Sequence, residues 1–98
     1  MVKKILLACA GGFSTSMLVQ KMQEAAKSKG IDVEILAVAE NSIEDYLDFD
    51  VLLLGPQIGH RLEDLSIELT MPVYVIESID YGTMNGEKVL NDTLSKLK

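Results

Sequence analysis

One segment of the chain, Cys9–Ser16, combines residue types that could hold and transfer an anion. It follows a continuous apolar run and consists of Cys9, Ala10, Gly11, Gly12, Phe13, Ser14, Thr15 and Ser16. Gly11 and Gly12 allow the backbone to curl with its N–H groups pointing inward, as in anion-binding nests. The start of a following helix would add unpaired N–H donors, a positive dipole end and the hydroxyls of Ser14–Ser16. The segment therefore predicts a phosphoryl-binding loop.

Cys9 is the only cysteine of the chain, so it cannot form an internal disulfide. A thiol at a helix N-terminus ionises easily, and the thiolate is the form that attacks phosphorus. The surrounding N–H groups would stabilise the charge on the transferring phosphoryl group and then hold the phosphocysteine. The alternative is a small buried residue at the end of a strand. The two glycines and three hydroxyls that follow favour a catalytic nucleophile.

Three other phosphate-handling loops do not fit this segment. Phosphatases of the Cys-x5-Arg type place an arginine six residues after the cysteine, where this chain has Thr15, and the only arginine is Arg61. A Walker loop would need a lysine before its Ser/Thr. A response-regulator receiver would present an aspartate where the third apolar run ends in Leu54-Gly55. We therefore expect a loop that accepts and passes on a phosphoryl group and hydrolyses it poorly.

Apolar runs alternate with helical patterns along the chain, which predicts an α/β fold. Buried strands joined by helices indicate a parallel, doubly wound sheet with right-handed crossovers and helices on both faces. Ligands of such sheets bind beyond the carboxyl ends of the strands, where Gly55-Pro56-Gln57 would lie beside the Cys9 loop. The predicted strands are Lys4–Cys9, Asp32–Val38, Asp50–Leu54 and Val73–Ile76.

Capping residues and apolar stripes predict the helices between these strands. Ser14–Ser16 are N-cap candidates for the first helix, which should end at Gly30. Asn41-Ser42 are expected to cap a short second helix over Ile43–Leu47. A polar turn should follow the fourth strand, with Asn85-Gly86 opening the last helix. The stripe of the third helix is formed by Ile58, Leu62, Leu65 and Leu69.

Composition limits the range of functions. The chain has 98 residues, 48% of them hydrophobic, which predicts a single domain over residues 1–98. A net charge of −6 and the absence of a basic run argue against nucleic-acid binding. The chain has no secretory signal pattern and no apolar stretch near the roughly 18 residues of a membrane helix. We therefore expect a cytoplasmic protein without direct membrane insertion.

Three segments resemble a known family, the IIB components of the bacterial phosphoenolpyruvate-dependent sugar phosphotransferase system (PTS), lactose/cellobiose class. The first is Cys9–Val19 after its apolar strand, and the second is Leu52–Ile58 with Gly-Pro-Gln. The third is Val75–Gly82, followed by Asn85-Gly86. Phe13 departs from the Gly-Met pair that is usual in the first segment. The resemblance covers nearly the whole chain, and the spacing of the first two segments makes it specific.

The resemblance implies a function, partners and a sheet order. A IIA protein carrying phosphohistidine would donate its phosphoryl group to Cys9, which would pass it to a sugar entering through the membrane protein IIC. The protein would associate peripherally with IIC and need no metal or organic cofactor. Cellobiose, chitobiose and lactose-like sugars all remain candidates. The family's sheet has the strand order 2-1-3-4.

Residues outside the loop have two interpretations each. Gln57 is expected either to contact the phosphoryl group or a partner, or to be a polar turn residue. Tyr81 is expected at the rim of the same face or as part of a turn, and Met17 is a candidate partner contact. His60, the only histidine, is predicted to be a solvated surface residue rather than a phosphoryl relay.

Two alternative functions remain at this point. A regulatory module could use the loop to hold free phosphate or a phosphorylated ligand, with Cys9 incidental. A degenerate cysteine phosphatase is the weaker alternative, because the loop has no arginine.

Overall fold

Four parallel strands form the central sheet, in the order β2-β1-β3-β4. The computed structural model describes residues 3–9 and 13–97, without the side chains of residues 13 and 14. The predicted α/β class, the parallel sheet and its 2-1-3-4 order are confirmed. The strands are β1 (Lys3–Cys9), β2 (Val33–Ala39), β3 (Val51–Leu54) and β4 (Val73–Val75).

Helices cover both faces of the sheet. One face carries α1 and α4, and the other carries α2 with two short 3₁₀ helices. The 3₁₀ helices span Glu40–Tyr46 and Pro56–Arg61. Within the described residues, the α-helices are α1 (Phe13–Lys29), α2 (Leu62–Glu68), α3 (Ser78–Gly82) and α4 (Gly86–Lys96).

The central strand β1 is apolar throughout its second half because it is buried on both faces. Side chains alternate along a strand, so Ile5 and Leu7 enter the core beneath α1 and α4. Leu6 and Ala8 enter the core on the α2 side. All four side chains are fully buried. By the same alternation, Cys9 follows Ile5 and Leu7 onto the α1 face.

The predicted end of the first helix is confirmed in detail. Gly30 has a φ of +69°, the left-handed conformation in which glycine avoids a Cβ clash. Its N–H donates to the Lys27 carbonyl at 3.3 Å, and the Ile31 N–H donates to the Ala26 carbonyl at 2.9 Å. These two bonds form a Schellman motif, which satisfies the last carbonyls of α1.

Two predicted N-caps are wrong. Helix α1 already begins at Phe13, so Ser14–Ser16 lie inside its first turn rather than at its N-cap. The second helix is a 3₁₀ helix that begins at Glu40, with Ala39 at the N-cap position and no side-chain cap. Asn41-Ser42 therefore lie within that helix.

The third predicted helix and the polar turn also differ from the structure. The third helix is divided into a 3₁₀ segment and α2, and Ile58 within the 3₁₀ segment has the non-helical angles φ −118° and ψ 24°. This kink leaves Ile58 buried in the α2-side core. The expected turn contains a short helix, α3. Asn85-Gly86 opens α4 as predicted, and the Asn85 side chain caps the helix by accepting a hydrogen bond from the Lys88 N–H at 3.2 Å.

Gly86 allows α4 to begin directly against α1. A Cβ at this position would lie 2.5 Å from the carbonyl carbon of Lys21 and 2.6 Å from the backbone nitrogen of Met22. Both atoms belong to the backbone of α1, which cannot move aside as a flexible side chain could. The glycine therefore sets how closely α4 approaches α1.

We predict that Gly86→Ala lowers the free energy of unfolding by about 1–3 kcal/mol, the usual cost of forcing an extra methyl group into a packed contact. Urea unfolding followed by circular dichroism measures the change. Gly82→Ala is the matched control, because a Cβ at Gly82 would meet no atom within 4 Å. Equal stability of the two variants would contradict the close approach of α4.

Candidate functional site

Cys9 is the last residue of the central strand β1, which lies between β2 on one side and β3 on the other. It pairs in register with Ala39 of β2, while on the other side the Gly55 N–H donates to the Ala8 carbonyl at 2.9 Å. This is the topological switch point, because β1 connects to β2 on one side and has β3 on the other. These contacts place Gly55, the first residue of the predicted Gly55-Pro56-Gln57 segment, beside the end of β1.

Thr15 contacts the cysteine directly. It lies in the first turn of α1, is fully buried, and its hydroxyl donates a hydrogen bond to the Cys9 sulfur. Cys9 itself is only 3% exposed. The low local dielectric of such a buried site strengthens a hydrogen bond. The contact joins the end of β1 to the start of α1.

Tyr81 lies behind Thr15, within the core beneath α1 and α4. Its hydroxyl oxygen is 3.4 Å from the Thr15 hydroxyl oxygen, and the residue is 7% exposed. The structure thus places Tyr81 beside the Cys9–Thr15 pair, with its ring buried.

Gly55 was expected beside the Cys9 loop, but the sequence did not predict that it packs directly against Cys9. A Cβ at Gly55 would lie 3.2 Å from the Cys9 Cβ and 2.9 Å from the Gln57 Oε1. The glycine therefore leaves the space in which the Cys9 and Gln57 side chains approach it. Its φ of −61° is an angle that any residue can adopt, so the backbone conformation does not require glycine here. Only the close packing against Cys9 shows why this residue is a glycine.

The remaining predicted residues divide into exposed ones and ones outside the described part of the chain. Met17 is 51% exposed on α1, and Ser16 and Gln57 are also exposed. His60 is exposed on the second 3₁₀ helix, which confirms that it is a surface residue. The predicted loop residues Ala10, Gly11 and Gly12 lie outside the described residues, as do the side chains of Phe13 and Ser14.

A salt-bridge cluster anchors α3, the helix that carries Tyr81. Lys88 Nζ of α4 donates to the Asp80 Oδ2 at 2.8 Å and to the Asp92 Oδ2 at 3.2 Å. The Asp80 side chain is only 8% exposed, whereas that of Asp92 is 49% exposed. The hydrogen bond that Lys88 donates to Asp80, followed by the one it donates to Asp92, raises the pKa of Lys88 above its ordinary value. The cluster joins α3 to α4 next to Tyr81.

The arginine of the chain is bound elsewhere. Arg61 Nη1 donates to the Glu40 Oε2 at 3.1 Å, and both side chains are 34% exposed. The structure thus places the Thr15 hydroxyl on the Cys9 sulfur and the Tyr81 hydroxyl 3.4 Å from that of Thr15. This arrangement suits a nucleophile that forms a reversible covalent bond with a small anion.

Comparison with known proteins gives one consistent result. A family model described as the PTS system, Lactose/Cellobiose specific IIB subunit, matches residues 4–92. The galactose-specific EIIB component of Lactococcus lactis subsp. cremoris is 44% identical over 97 residues, covering 90% of both chains. The solution structure of a cellobiose-specific IIB component from Borrelia burgdorferi is 48% identical, with a TM-score of 0.78. It covers 93% of this chain and 87% of that one.

A more distant relative has a composite name. The lactose-specific EIICB component of Streptococcus mutans is 29% identical over 65 residues, which are 65% of this chain and 11% of that protein. Within residues 3–9 and 13–97, no helix is long and apolar enough to cross a membrane.

We predict that Lys88→Met lowers the urea midpoint of unfolding more than Asp92→Asn does. The first change leaves the buried Asp80 carboxylate without its 2.8 Å partner, whereas the second removes an exposed carboxylate and preserves the Lys88–Asp80 contact. Equal midpoints for the two variants would show that the Lys88–Asp80 contact does not anchor α3.

Proposed function

This chain belongs to the lactose/cellobiose-specific IIB family of the phosphotransferase system, and from that membership we propose that Cys9 carries its phosphoryl group. The donor is a phosphohistidine on a IIA protein, and the acceptor is a sugar bound by the membrane protein IIC. The carrier is a phosphocysteine.

The hydrogen bond from Thr15 to the Cys9 sulfur is the observation that carries this proposal. It places a buried donor on the one thiol of the chain, at the sheet position where α/β proteins bind their ligands. A cysteine that served only to fill the core would need no such donor. The Ala10–Ser16 loop completes the proposed site, with its N–H groups and hydroxyls holding the phosphoryl oxygens.

The first step is an attack of the Cys9 thiolate on the phosphorus of the phosphohistidine. An S–P bond forms and the N–P bond breaks, and its electron pair stays on the imidazole nitrogen. With the other ring nitrogen protonated, the donor leaves as a neutral imidazole. The Thr15 hydroxyl stabilises the thiolate before attack.

The second step returns the thiolate. A sugar hydroxyl oxygen attacks the phosphorus, an O–P bond forms, and the S–P bond breaks with its electron pair on sulfur. The hydroxyl proton passes to a base or water on the acceptor side. Thr15 then stabilises the leaving thiolate, so the same hydrogen bond assists both steps of the transfer.

Two observations support the partners of this reaction. Met17, which directly follows the loop in α1, presents an apolar side chain that is 51% exposed, and it is proposed as part of the surface for IIA. The EIICB name of the S. mutans relative joins the C and B components in one protein. We accordingly place this chain in the cytoplasm, held at the membrane through IIC.

The sugar is proposed as a class only: cellobiose, chitobiose or a lactose-like sugar. The relatives that resemble this chain to a similar degree have names that specify galactose and cellobiose. The choice of sugar is therefore assigned to the IIC partner rather than to the Cys9 site.

We predict that the intact mass rises by one phosphoryl group when the protein is incubated with phosphoenolpyruvate, the general PTS proteins and a phosphorylated IIA. The reaction is kept at mildly alkaline pH, where phosphohistidine survives and thiolate is favoured. Addition of cellobiose with IIC-containing membranes should then remove the added mass. Mass spectrometry reads both changes.

The control for this experiment is Cys9→Ser, which should gain no mass. A mass gain that persists in Cys9→Ser would place the phosphoryl group on another residue. An unchanged mass beside a fully phosphorylated IIA would refute the carrier role, and binding of inorganic phosphate would then identify an anion-binding module. Release of phosphate from an aryl phosphate would instead indicate the phosphatase.

We also predict that Met17→Gln raises the IIA concentration needed for half-maximal phosphorylation about three- to tenfold, because an apolar contact is lost at the docking surface. The matched control is Ile67→Gln. Ile67 is 79% exposed on α2, on the opposite face of the sheet. An equal effect of both substitutions would contradict docking beside the loop.

A further inference from the structure

We propose that Tyr81 is a positioning residue that directs the Thr15 hydroxyl proton toward the Cys9 sulfur. This inference rests on the proposed function, in which Cys9 is the reacting group. It assigns to Tyr81 a part in the reaction that acts through Thr15, without contact between Tyr81 and the phosphoryl group.

The Thr15 hydroxyl has only one proton to donate, and this determines the direction of both of its hydrogen bonds. A threonine hydroxyl has one proton and two acceptor lone pairs. Thr15 uses its proton in the bond to the Cys9 sulfur, so its oxygen can only accept in the 3.4 Å contact with Tyr81. Tyr81 must then be the donor. The order of donation is Tyr81 to Thr15 to Cys9, and it ends on the atom that becomes negative.

Burial makes this order effective. Thr15 is fully buried, Cys9 is 3% exposed and Tyr81 is 7% exposed, so water has little access to replace either donor. Aligned hydrogen bonds polarise one another in such surroundings. A Thr15 hydroxyl that already accepts from Tyr81 is therefore a stronger donor, and it is not free to turn away from the sulfur.

The anchoring of α3 keeps Tyr81 in place relative to α1. Asp80, the residue before Tyr81, is bound by Lys88 of α4, and the Asn85 N–H donates to the Asp80 carbonyl at 2.9 Å. Gly86 then fixes the start of α4 against the backbone of α1. Thr15 and Tyr81 are thus held by elements that pack directly on each other.

The test measures thiolate absorbance in the ultraviolet from about pH 5 to 9, the range in which protein thiols commonly ionise. The Cys9→Ser spectrum is subtracted. We expect Tyr81→Phe to lower the thiolate-to-thiol ratio about two- to fivefold at neutral pH, as expected for the loss of one hydrogen bond. Within this chain of hydrogen bonds, Tyr81 is the other titratable group, and Lys88 keeps its proton throughout because its pKa is raised.

Tyr74→Phe is the matched control, since Tyr74 is a half-buried tyrosine on β4 whose ring lies 4.6 Å from Lys96 Nζ. Its curve should coincide with that of the parent protein. A double-mutant cycle separates positioning from a general structural effect. In a Thr15→Val background, Tyr81→Phe should have no further effect. Equal curves for Tyr81→Phe and the parent, or a full effect in the Thr15→Val background, would overturn the proposal.

A second measurement uses the unaltered side chains and does not depend on the folding of a variant. The carbon-13 resonance of the Tyr81 Cζ should shift with the ionisation of Cys9, while Tyr46 and Tyr74 should not follow it. The shift should vanish in Cys9→Ser. A Tyr81 signal that ignores the ionisation of Cys9 would refute the proposed donor order.

These measurements read the thiol without a IIA protein, so they are separable from the carrier role. An intact Tyr81 effect without any phosphorylation by IIA would refute the carrier role alone. Phosphorylation of Cys9 without a Tyr81 effect would refute the positioning role alone.

Discussion

The burial of β1 on both faces is the constraint on which the rest of the structure depends. A strand in this position must be apolar, and its neighbours β2 and β3 pair with its two opposite edges. The chain then changes direction at Cys9, in the space between the two crossovers. Because Cys9 lies at the end of the central strand, the pairing of β1 with β2 sets its position.

Among the described residues, Thr15 gives the Cys9 sulfur a neutral hydroxyl donor. A guanidinium would hold a phosphoryl group with two charge-assisted hydrogen bonds, whereas Arg61 is bound to Glu40. For a carrier, weaker neutral donors have an advantage, because the phosphorylated state must be neither too stable to pass on nor easily hydrolysed. The Thr15–Cys9 contact supplies stabilisation to the thiolate that forms whenever the group leaves. This balance connects the composition of the site to the transfer role we propose.

The sequence predicted the strands well because their signals are local and strong, whereas the sheet order came from the resemblance to the IIB family. The apolar runs of β1 and β3 have few alternatives, and Gly30 and Asn85 mark helix ends by their own conformational preferences. The structure of α3 could not be predicted, since five residues carry no helical period. Likewise, Gly55 looked like part of a strand-ending Gly-Pro pair, and its contact with Cys9 depends on the pairing of β3 with β1. Residues such as Gly55, whose role depends on contacts with distant parts of the chain, leave no periodic pattern in the sequence.

The position of Tyr81 is likewise set by tertiary contacts rather than by local sequence preferences. The tyrosine sits on a helix too short to be stable alone, so the surrounding contacts must hold it. Lys88 binds its neighbour Asp80, and Gly86 brings α4 against α1, which carries Thr15. Phenylalanine would fill the same core space as Tyr81 without the need for a polar partner. The presence of tyrosine at this position is therefore better explained by the hydrogen bond that its hydroxyl donates than by the packing of its ring.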